Sequence, residues 1–192
     1  HGEKISICNT LHQALVVPIL EKATHDLNLS KNSDFQVRII KGVKHYGKYI
    51  DPTTENIHED ATGFFAHLQN ICFKAKNSKG ELPFNKYKTG YFTVFSLAAD
   101  VYDDAAGQIQ DVGTKNLVLF PNKNDKTISH EALHGLGLAH THSDSSPIPD
   151  AVVKYVFPNG NDDRPNATDN IMSYSAELRK STWHWQWTIL RR

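Results

Sequence analysis

The segment His130-Glu131-Ala132-Leu133-His134-Gly135-Leu136-Gly137-Leu138-Ala139-His140 constrains this chain more than any other stretch. His130 and His134 are four residues apart, so on a helix they lie one turn apart on one face. That geometry lets two imidazoles reach a single metal ion. Glu131 follows the first of them and can hydrogen-bond a metal-bound water without ligating. Ala132, Leu133 and Leu136 project elsewhere and can pack into a core. Gly137 ends the helix, because glycine tolerates the left-handed conformation that turns the chain sharply. The turn brings His140 round as a third ligand. Three neutral imidazoles and one open position make a catalytic zinc arrangement, as opposed to the closed four-ligand structural kind. His142 is a competing imidazole two residues further on, but the spacing from Gly137 favours His140.

Upstream, residues 4–8 (KISIC) read as a short strand. Thr10 and Gln13 have the spacing of a capping box at a helix start. Leu11, Leu15, Ile19, Ala23 and Leu27 follow at helical spacing, with Pro18 as a kink or restart. Phe35, Val37 and Ile39 alternate with polar residues, which predicts a strand over 35–41 with one buried face. Strand–helix–strand is the unit that builds a parallel sheet. Residues 43–58 are polar and turn-rich. A second helix is expected over 60–76, from Phe64, Leu68, Ile71, Cys72 and Ala75, and a loop over 77–90. Residues 91–98 (YFTVFSLA) read as a strand buried on both faces, and 116–120 (NLVLF) as another. A helix from Thr127 to Leu136, a long loop over 143–170 and a final helix over 182–191 complete the pattern. Trp183, Trp187 and Leu190 share one face of the last helix.

The pattern HExxHxxGxxH, followed by Asn170-Ile171-Met172-Ser173-Tyr174, resembles the metzincin clan of zinc metallopeptidases. The likeness covers about residues 91–192. It implies a zincin/metzincin α/β (α+β) fold: a twisted, mostly parallel sheet with an antiparallel edge strand, an active-site helix, a Met-turn and a C-terminal helix. It also implies one catalytic domain over 1–192, with an N-terminal subdomain over 1–140 and a C-terminal one over 141–192. Met172 would be the Met-turn residue beneath the metal. The order Met-x-Tyr is similar to that of the serralysin and astacin branches, which implies that Tyr174 alternates between ligating zinc and stabilising the reaction intermediate. By the same analogy, 116–120 is the edge strand beside which substrate lies, and 143–171 shapes the pocket after the scissile bond. Thr141 departs from several branches, which carry Glu, Pro, Ser or Asp there. The tail NIMSYS…STWHWQWTIL also resembles metallopeptidase effector domains carried by bacterial type VI secretion spike proteins.

The expected activity is therefore zinc-dependent hydrolysis of peptide bonds. His130, His134 and His140 would hold Zn2+, Glu131 would act as general base on the zinc-bound water, and Tyr174 would assist. Protein or peptide is the expected substrate. Two alternatives are a zinc amidase acting on cell-wall peptides and a binding module with inert zinc; the intact Glu131 argues against the second. Lys plus Arg and Asp plus Glu each number 21, so the basic excess of a nucleic-acid partner is missing. No apolar run approaches the roughly 20 residues of a membrane span. The sequence opens at His1 without a leader and reads as a mature fragment or a domain cut from something longer; the effector resemblance implies a larger carrier protein upstream and a place secreted or delivered outside the producing cytoplasm.

Other features have quieter readings. The Asp and Asn cluster at 159–170 lacks the regular spacing of a calcium loop and reads as a solvated loop. Trp183, Trp185 and Trp187 read as packing aromatics in preference to a stacking platform. His1, His12, His25, His45, His58, His67 and His184 lack partner spacing. Cys8 and Cys72 are the only cysteines, compatible with one bridge or two free thiols.

Overall fold

The structure is a computed structural model and describes residues 2–19, 28–102, 105–141, 169–173 and 180–191. It is mixed α/β, with small sheets and, among the described residues, four α-helices. The chain divides into two compact units. One comprises His1–Ile19, Ile109–Leu117 and Lys123–Arg192; the other comprises Leu20–Gln108 and Val118–Asn122.

In the first unit, helix α1 spans Gly2–Gln13. The strand expected at 4–8 is therefore helix. Ile7, Leu11 and Ala14 are buried, spaced four and three apart, so one helical face satisfies these residues where a strand would expose alternate ones. Tertiary packing overrides the β-preference of Ile5 and Ile7. The Ser6 hydroxyl meets that of Ser129 at 2.9 Å, joining α1 to α3, the helix Thr127–Gly135. Thr10 and Gln13 close α1 instead of starting a helix. Leu15 takes φ +59°, Leu15 N–H donates to His12 O at 2.9 Å and Val16 N–H to Leu11 O at 3.0 Å. That pair of bonds is a Schellman stop, three residues before Pro18. The helical continuation through Ala23 and Leu27 falls outside the described residues. Helix α4 spans His184–Leu190, inside the expected 182–191. Its buried positions are Gln186 and Leu190.

The second unit holds strands β1 (Val37–Ile40) and β2 (Val43–Tyr46), paired antiparallel with Ile40 opposite Val43. Lys41 and Gly42 both have positive φ, +50° and +81°, the turn that matches the twist of a two-residue hairpin. Strand–helix–strand crossover is thus replaced here by a hairpin. Nor does β1 bury a face: Ile39 is 71% exposed, and among the described residues no third strand extends this two-stranded ribbon. Helix α2 spans Phe64–Lys74, with Gly63 at its N-cap at φ +84°. Its Phe64, Phe65 and Leu68 join Tyr49, Ile57, Phe95, Val101, Val118 and Phe120 in one core cluster.

Strands β3 (Thr93–Ser96), β4 (Gly107–Ile109) and β5 (Asn116–Leu119) form a sheet in the order β3-β5-β4. Two consequences correct the expectations. Strand β3 is an edge strand with only Phe95 buried, so 91–98 is not covered on both faces. Strand β5 is central, with its backbone groups committed on both sides, so 116–120 is not the edge that could receive a substrate. The described sheets are small, and the two-stranded one is antiparallel.

Candidate metal centre

Helix α3 carries the first two histidines on one side. Thr127 and Asn124 close its start, Asn124 N–H donating to Thr127 Oγ1 at 3.1 Å and Thr127 N–H to Asn124 O at 3.1 Å. At its other end Gly137 takes φ +96°. Gly137 N–H donates to His134 O at 2.9 Å and Leu138 N–H to Leu133 O at 3.0 Å. This is a glycine Schellman stop, as the sequence predicts. The reversal sends Leu138, Ala139 and His140 back along the helix end, with Leu138 fully buried. The His134 carbonyl also accepts from Gly113 N–H at 2.9 Å.

The three rings converge. Their Nε2 atoms are 3.2, 3.2 and 3.1 Å apart for the pairs His130–His140, His130–His134 and His134–His140. A metal placed about 2.0–2.1 Å from all three would see them at angles of about 100°, close to tetrahedral. Among the described residues, His130, His134 and His140 are the group of three able to hold a metal ion. His130 and His134 are buried and His140 is half-buried.

Hydrogen bonding fixes which nitrogens face inward. His130 Nδ1 lies 2.8 Å from Ile171 O, and His134 Nδ1 lies 2.7 Å from Leu138 O. A carbonyl only accepts, so each Nδ1 carries the hydrogen and, in a neutral ring, each Nε2 presents a lone pair. Two neutral rings so held face each other with lone pairs at 3.2 Å, an arrangement that a cation placed between them would bridge. This donor set therefore fits a metal, and three imidazoles suit zinc among other transition metals.

Glu131 is buried, 8% exposed, one residue after His130. Met172 is fully buried in the turn that follows Asn170. Ile171 O reaches His130, and Met172 O accepts from Thr141 N–H at 3.2 Å, directly after His140. The turn is thus tied to both ends of the segment 130–140. Tyr174, His142 and the loop 143–168 lie outside the described residues.

Sequence reading overlooked two amides. Gln186 and Asn170 are both fully buried and bond to each other. The only sequence signal is a glutamine inside the aromatic run HWQW. Trp183, Trp185 and Trp187 are half-buried, and Trp187 Nε1 donates to Thr182 Oγ1 at 2.9 Å. Of the lone histidines, His67 meets Asn32 at 3.1 Å and His58 stacks on Tyr102. Cys8 and Cys72 are free thiols, and burial pushes the Cys72 thiol pKa up.

No family model, curated protein or solved structure matches this chain.

Proposed function

We propose that this chain is a zinc-dependent metalloendopeptidase of the metzincin type, with His130, His134 and His140 as zinc ligands. The observation that carries the reading is the convergence of three Nε2 atoms, two of them turned to present lone pairs by carbonyl-bound Nδ1–H groups. When bound, zinc supplies Lewis acidity, which polarises a carbonyl and acidifies water to a pKa of about 7.

The chain's own groups do the rest. Glu131 takes the proton of the attacking water and passes it to the leaving amine. Tyr174 donates a hydrogen bond to the developing oxyanion. A larger carrier protein and action outside the producing cytoplasm belong to the same proposal, supported by the effector-like tail.

The test has two parts. Metal content of the purified protein should be one zinc per chain. Cleavage of a peptide library should then appear with zinc and vanish with a chelator. Turnover confined to cell-wall peptides would convert the reading to an amidase. Zinc binding without any hydrolysis would leave a binding module.

A further inference from the structure

We propose that Gln186 and Asn170 are positioning residues for the metal centre, holding the turn at Met172 so that the Ile171 carbonyl fixes the His130 ring. The inference rests on the zinc reading above.

Both side chains are fully buried, where an amide is costly unless its polar atoms are bonded. Gln186 Oε1 accepts from Trp183 N–H at 2.7 Å and from Asn170 Nδ2 at 2.8 Å. Gln186 Nε2 donates back to Asn170 Oδ1 at 3.3 Å. Asn170 Oδ1 also accepts from Met172 N–H at 2.9 Å, and Asn170 O accepts from Ser173 N–H at 3.0 Å. The amide orientations are forced, because the backbone N–H groups of Met172 and Trp183 require an oxygen opposite them. Ile171 N–H donates to Ser181 O at 2.7 Å. The turn is therefore held on both sides of Ile171, and the free direction left to its carbonyl is toward His130 Nδ1 at 2.8 Å.

Stability alone does not explain this pair. Replacing both members of a buried hydrogen-bonded pair by apolar groups of the same shape can be nearly neutral. What an apolar pair cannot do is orient one carbonyl. That orientation sets the tautomer and angle of a ligand ring, and groups that do so govern metal affinity.

The test uses the full chain, with zinc affinity from chelator competition and the visible spectrum of the cobalt(II)-substituted protein as readouts. Gln186→Met keeps the volume and removes every bond; zinc affinity should fall about 10- to 100-fold, with the cobalt bands shifted. Gln186→Glu keeps the acceptor for Trp183 and Asn170, so its loss should be smaller. Leu11→Ala serves as the purely structural control, lowering the melting temperature while leaving the cobalt spectrum as in the wild type. If Gln186→Met does not fold, Asn170→Ser carries the same expectation, since it loses the bonds to Gln186. Wild-type affinity and spectrum in the Gln186 variants would overturn the inference and leave the peptidase reading standing. So would losses that merely follow melting temperature across all variants, Leu11→Ala included. A wild-type chain that binds no zinc would overturn both.

Discussion

The Nδ1 of His130 lies 2.8 Å from the carbonyl oxygen of Ile171, and this one contact joins the ligand helix to the turn 41 residues later in the chain. It makes the backbone of the Met172 turn the hydrogen-bond partner of a ring in the histidine cluster. His134 finds its own partner locally, at Leu138 O, through the reversal at Gly137. One ligand is thus oriented by tertiary structure and the other by the end of its own helix.

Zinc should stabilise the folded chain, because the facing Nε2 lone pairs of His130 and His134 are unfavourable without it and an unfolded chain offers no such cluster. At a free zinc concentration 100 times Kd the gain is about 2.7 kcal/mol. Calorimetry with and without zinc should show the melting temperature rising. In His130→Ala, His134→Ala and His140→Ala that zinc-dependent rise should disappear. A full rise in His140→Ala would remove His140 from the ligand set.

Glu131→Gln should keep fold and zinc and lose nearly all hydrolysis. The amide is isosteric with the carboxylate but accepts no proton, so only the proton-transfer role is deleted. Zinc content and melting temperature should match the wild type while turnover falls. If turnover persists with zinc confirmed, another group takes the proton.

Tyr174→Phe should retain zinc and substrate affinity and lower kcat about 10- to 1000-fold, the range for a lost oxyanion donor. The motive is its place two residues after Met172, whose turn is tied to the ligands by Ile171 O and Met172 O. Steady-state kinetics on one peptide separate the two parameters. An unchanged kcat would make Tyr174 a packing residue.

The centre was legible because its parts are local. Three ligands and a helix stop fit within eleven residues, 130–140, and their spacing alone dictates convergence. Topology was less legible. Residues 4–8 look like a strand by propensity, yet Ile7, Leu11 and Ala14 also fit one helical face, and packing chose the helix. Whether β5 is an edge or a central strand depends on β3 and β4, whose pairing is not encoded in NLVLF itself. Burial of Gln186 was equally hidden, since its Asn170 partner lies 16 residues away and an exposed glutamine would read the same.

Gly137→Ala separates the conformational demand of the helix stop from packing. Gly137 sits at φ +96°, a region that side chains with a Cβ adopt at a cost of about 1–2 kcal/mol. Space is not the obstacle: an added Cβ would meet Ile189 Cγ2 at 3.6 Å, an ordinary contact. The melting temperature should therefore drop by about 2–8 °C. Gly90→Ala is the matched control, with φ +84° and nothing within 4 Å of an added Cβ, and should cost a similar amount. The two must part company in zinc affinity. Strain at Gly137 redirects Leu138, which holds the His134 ring through its carbonyl, and His140 two residues beyond. Chelator competition should show weakened zinc in Gly137→Ala and wild-type affinity in Gly90→Ala. Equal affinity in both would mean that His140 reaches the metal without the glycine turn, and that the third ligand is held by Thr141 and the Met172 carbonyl instead.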